Sequence, residues 1–182
     1  MQVNNEGNGL GAFFKMIDLI EDDISEMLED ENSELSGYEC LVISFNCLTL
    51  LCRQVEINFS QIEDHYSESR KNQLDENPLG FDSDLNLKEY SEIETFNLAL
   101  EETENTLTAF EKRCKKTGEL FDVWNCVLIM YASLRKYCDK TNLNYIELIA
   151  DVVKLQSNLE KEKKVETKVE TKVETKGTNT LN

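Results

Sequence analysis

The sequence predicts an all-α protein, a helical bundle of about five helices followed by a disordered C-terminal tail. Three observations carry that expectation. Apolar residues recur at three-to-four spacing over long stretches, which is the period of an amphipathic helix. One Pro and seven Gly are too few for the turns of a many-stranded sheet. An apolar content of 40% supplies a core, while 30% charged residues keep one face of each helix in water. At 182 residues the chain is long enough for one domain with tails.

The elements follow in order. Residues 1–11 are rich in Asn and Gly and read as a flexible N-terminus. Phe13, Phe14, Ile17, Ile20, Ile24, Met27 and Leu28 keep helical phase, so a first helix covers 12–30. Asn32, Ser33, Ser36 and Gly37 break it, and a second helix over 38–66 is apolar enough in its first half to sit at a bundle centre. The polar stretch 67–86, with Asn77-Pro78 and Gly80, reads as a long loop or lid.

Helices resume near Leu87. Ile93, Phe96, Leu100, Leu107 and Phe110 give the third its stripe, with Thr103 in phase, until a basic cluster leads to Thr117-Gly118. A fourth helix over 119–139 turns Leu120, Val123, Trp124, Val127, Met130, Leu134 and Tyr137 inward. Asn142 is placed to cap a fifth, whose apolar face is Leu143, Ile146, Ile149 and Val153. The 12–162 region thus divides into an N-terminal helical pair (12–66), a loop (67–86) and three further helices (87–162). Three Val-Glu-Thr-Lys repeats then occupy 165–176. In a helix they would set Glu on Glu and Lys on Lys at i+4, so 163–182 reads as a disordered tail.

Charge narrows the function. The net charge is −17, and residues 1–159 hold 13 basic against 31 acidic groups, or −18. Ten acids and no Lys or Arg lie between Asp18 and Glu39. Direct nucleic-acid binding needs a basic patch and is disfavoured. A solvated acidic surface, cation binding and mimicry of nucleic-acid charge all fit this balance.

The six Cys form no Cys-x-x-Cys pair, and the single His65 leaves a zinc site without partners. They read as buried free thiols, implying a reducing compartment. The first residues lack a basic n-region and an apolar h-region, and the longest apolar run, Leu41 to Cys52, is too short to span a bilayer. The expected location is the cytoplasm, with no membrane partner.

Two acidic motifs hold the densest potential chemistry. Glu101 and Glu104 lie at i and i+3 on the third helix, and Glu119 and Asp122 repeat that spacing at the start of the fourth. Two such faces brought together would offer oxygen ligands to a hard cation such as Mg2+. The same residues are equally readable as exposed charges, and acids in a helix's first turn are favoured by the dipole alone. The two pairs meet only if the third helix ends near Thr108 to Glu111. Were it unbroken to Lys116, Glu104 would stand ~18 Å from the turn beside Glu119.

The segment from about Glu89 to Lys161 resembles the all-α nucleotide pyrophosphohydrolases of the MazG-like group. The resemblance rests on Glu101-x-x-Glu104, on Glu119-Leu120-Phe121-Asp122-Val123-Trp124, and on Asn158-x-x-Lys161. It departs from the group's Glu-Glu-x-x-Glu at Asn105. The resemblance implies Mg2+-dependent hydrolysis of a nucleoside triphosphate, dNTPs included, to the monophosphate and pyrophosphate. By it, Glu101, Glu104, Glu119 and Asp122 would be metal ligands and catalytic groups, and Asn158 and Lys161 would bind substrate. It also implies a homo-oligomer. The rival reading is a non-enzymatic acidic helical interaction protein, a degenerate relative or a binder of a basic partner.

Overall fold

The structure is a computed structural model, and it describes residues 6–29, 35–72, 92–159 and 161. Six helices account for nearly all of these residues, with no strand among them. They are α1 (Glu6–Glu29), α2 (Gly37–Gln54), α3 (Phe59–Asn72), α4 (Glu92–Thr117), α5 (Val123–Thr141) and α6 (145–159). The expected tail at 163–182, and 73–86 of the expected loop, lie outside the described residues.

Helix α1 starts at Glu6, not at residue 12, so the segment read as flexible is helical from there on. A side chain at buried Gly9 would press within 3.1 Å of Val123 Cγ1. The missing Cβ lets the first turns of α1 lie directly on the start of α5, and tertiary packing outweighs the low helix propensity of glycine. Phe13, Met16, Ile17, Ile20 and Ile24 form the buried stripe, while Phe14 is 45% exposed.

The expected 38–66 helix is two helices meeting at 115°. Ser36 and Glu39 begin α2 with a reciprocal capping box. The helix ends in a Schellman motif: Ile57 N–H donates to the Cys52 carbonyl at 2.8 Å and Glu56 N–H to that of Arg53. Glu56 holds the left-handed position at φ 60°. Glycine usually occupies that position, so the break carries no glycine signature. Asn58 then caps α3, its side-chain oxygen accepting from Ser60 N–H. Residues 67–72 of the expected loop belong to α3.

Helix α5 is the centre of the bundle, packing against α1, α2, α3 and α4. Cys126, Val127, Met130, Tyr131, Leu134, Tyr137 and Cys138 are buried along it. It begins at Val123 rather than 119, which leaves Leu120 56% exposed instead of inward. Tyr131 sits edge-on to Phe45, Phe59, Tyr66 and Tyr145, drawing three other helices around one ring. Its hydroxyl donates to Tyr145, whose own hydroxyl donates to Glu63 at 2.5 Å.

Asn142, expected to start the last helix, instead ends α5 at φ 55°, and Asn144 caps α6 by accepting from Ile146 N–H. The buried face of α6 is Leu148, Val152 and Gln156, whereas Ile146 and Val153 are 80% and 56% exposed. Bonds to α2 fix this rotation. Tyr38 donates to Asp151 at 2.7 Å, and Gln156 joins Asn46, Thr49 and Arg53. No single helix among the described residues is long and apolar enough to cross a membrane.

A close joint ties α2, α4 and α5. Gly37 N–H donates to the Glu92 carboxylate at 3.1 Å, and Tyr137 donates its hydroxyl to the Glu92 carbonyl at 3.0 Å. A Cβ on Gly37 would overlap the Tyr137 hydroxyl. Gly37→Ala is therefore expected to destabilise the protein by about 1–3 kcal/mol despite alanine's better helix propensity. Urea unfolding would show a lower midpoint, and an unchanged or higher one would refute the close approach.

Candidate functional site

The fate of the two acidic motifs is decided by the length of α4, which runs unbroken to Thr117. Gly118, at φ 75°, ends it by returning its N–H to the Cys114 carbonyl. The early end near Thr108 to Glu111 does not occur. Glu104 is thus 13 residues, about 20 Å of helix, before the turn that leads to Glu119. The electrostatic neighbours across α4 and α5 agree with this register. Glu102 acts on Lys136, whereas Glu111 acts on Cys126 near the start of α5. Lys136 lies 14 residues, about 21 Å, beyond Asp122.

The expected ligand set is therefore not gathered. Among the described residues, no group of three or more His, Cys, Asp or Glu side chains could hold a metal ion. Glu101 and Glu104 are exposed on α4. Glu119 is exposed and pairs with Arg113 at 3.3 Å, while the Arg113 guanidinium also lies over the Phe110 ring. Asp122 has a structural duty, because its carboxylate caps α5 and accepts from both Asn125 N–H groups at 2.9 and 2.8 Å. Within one chain, donors divided in this way do not form the compact carboxylate set that a Mg2+ octahedron takes. Asn158 and Lys161 are exposed at the far end of α6, beyond the Gln156 anchor on α2.

The structure does bring Glu104 to other acids. Helices α1 and α4 line a groove of about 340 Å³, with Phe14, Ile17, Leu107 and Phe121 supplying its apolar wall. Asp18, Glu104 and Glu111 supply three carboxylates, and no Lys or Arg is among the described lining residues. Phe121 is held against Phe110 with ring centroids 5.8 Å apart. Glu111 also bonds Lys115 at 2.8 Å, one turn further along α4.

Glu21, one turn beyond Asp18, records the resulting field. Partial burial and the carboxylates of Glu104, Asp18 and Asp22 raise its pKa above the ordinary 4.5. The sequence signal for this surface was the acid density of 18–39, but only the tertiary fold sets Glu104 and Glu111 opposite it.

A scan against protein-family models, a search of curated proteins and a search of solved structures each found no match.

Two outcomes follow from this geometry. Asp122→Ala is expected to cost about 1 kcal/mol, with Asp122→Ser recovering most of it, because both effects come from the cap. A stabilisation by Mg2+ that vanishes in Asp122→Ala would instead mark a ligand. For Glu21, the folded state binds its proton more tightly than the unfolded chain, so the ionised carboxylate destabilises at neutral pH and protonation relieves it. Glu21→Gln is expected to raise Tm at pH 7, and the gain should shrink as pH falls through the raised pKa of Glu21 and be absent below 4.5. A gain independent of pH would contradict the electrostatic origin.

Proposed function

We propose that this protein is a non-enzymatic acidic helical interaction protein that binds a basic partner. The observation that carries this reading is the division of the carboxylates. Of those expected to converge on a metal, Glu119 is paired with Arg113 and Asp122 is spent on a helix cap, while Glu104 joins Asp18 and Glu111 in lining the groove between α1 and α4. A surface of like charges that repel one another is relieved by a cationic partner. The excess of 31 acids over 13 basic groups in residues 1–159 extends that attraction over the whole surface.

A MazG-like nucleotide pyrophosphohydrolase is the second reading, favoured by Glu119-Leu120-Phe121-Asp122-Val123 leading directly into the buried α5. It would require Glu101 and Glu104 of one copy to meet Glu119 and Asp122 of another, since one chain separates them. Mg2+ and a homo-oligomer belong to that reading alone.

The two separate in one assay. Full-length protein with Mg2+ and a panel of NTPs and dNTPs is expected to release no pyrophosphate above a protein-free blank. Release that disappears in the Glu119→Ala/Asp122→Ala variant would overturn the binding reading and restore the hydrolase.

A further inference from the structure

We propose that the α1/α4 groove is the docking site for a basic amphipathic peptide segment, one that inserts apolar side chains between flanking lysines or arginines. This inference rests on the interaction-protein reading and assigns its surface and the chemistry of its partner.

The groove combines two features that call for one kind of occupant. Phe14 is 45% exposed although it lies beside the buried Ile17, so apolar surface remains in water at the mouth. A volume of about 340 Å³ suits a few side chains of a segment lying across two helices. A purely cationic ligand would leave the exposed face of Phe14 wet. A purely apolar ligand would desolvate Asp18, Glu104 and Glu111 without compensation, at a cost to binding.

A peptide alternating apolar and basic side chains satisfies both requirements, in the manner of a helix laid in a groove. Charge complementarity selects the sign. Asp18 and Glu104 line the groove from opposite helices, both acting on Glu21, and the third carboxylate, Glu111, is bonded to Lys115. Lys115 is a neighbour of Glu111 on the same helix and is itself 70% exposed, so an incoming cation can replace it.

Fluorescence anisotropy on the full-length protein tests the proposal. The probe is a labelled synthetic helical peptide of Lys and Leu, with Leu at i, i+3, i+4 and i+7. A second peptide of equal charge carries Ser at every Leu position. The protein is expected to bind the first at least about tenfold more tightly than the second, with affinity falling as salt rises. Glu104→Gln/Glu111→Gln and, separately, Phe14→Ser should each weaken the first peptide's binding about tenfold. Phe14→Leu should retain it, and circular dichroism should show full helix content in every variant.

Asp64→Asn/Glu68→Gln, two exposed acids on α3, removes the same charge away from the groove and should change affinity less than about twofold. Equal binding of the two peptides, equal losses from the α3 and groove pairs, or no binding at all would overturn the groove. Pyrophosphate release would count against the interaction-protein reading instead, so the two failures are told apart.

Discussion

The fold depends on burying α5 against its neighbours, α1 to α4 and α6. Its apolar face extends almost all the way around, from Cys126 through Tyr131 to Cys138, and a helix of that kind is stable only at a bundle centre. Each neighbour meets it through a different contact. Gly9 brings α1 close to Val123, Glu92 receives the Tyr137 hydroxyl from α4, and the Tyr131 ring collects α2, α3 and α6. The polar atoms drawn inside have partners: no buried side-chain N or O is left unbonded among the described residues. Polar satisfaction matters here because an orphaned group would cost about as much as a core contact contributes.

The same packing sets the electrostatics of the surface. Packing both α1 and α4 against α5 brings acidic residues of the two together along one groove. Glu21 is raised above the ordinary carboxylate value by partial burial and by Glu104, Asp18 and Asp22. Partial burial first, and these like charges second, disfavour the ionised Glu21 carboxylate in the folded state. The basic residues do not offset this. Arg113 and Lys115 are engaged near the end of α4, where cations also favour the helix dipole.

Asp122 illustrates how one carboxylate can answer to two descriptions. Its spacing from Glu119 and its continuation into Val123 fit a metal-binding motif. In the structure it accepts from backbone and side-chain N–H groups of Asn125, as an N-cap does. Both uses need an acid just before an apolar helix, so spacing cannot separate them. The unbroken α4 carries Glu101 and Glu104 of the same chain away from the turn, so within one chain Asp122 is seen as the cap.

The sequence by itself determined the helical class, Phe13, Ile17, Ile20 and Ile24 of the buried stripe of α1, the inward residues of α5 from Val127 to Tyr137, and the acidity of the chain. These follow from local periodicity and composition, which act within a few turns. It left the break at 55–58 unreadable, because Glu56 takes a left-handed position that glycine would have advertised. It misplaced the face of α6, whose rotation is fixed by Tyr38, Asn46 and Thr49, more than a hundred residues away. Only the tertiary structure decided which carboxylates share a site. Side chains on one helix are neighbours by spacing, but neighbours on two helices depend on where each helix stops and which face it buries.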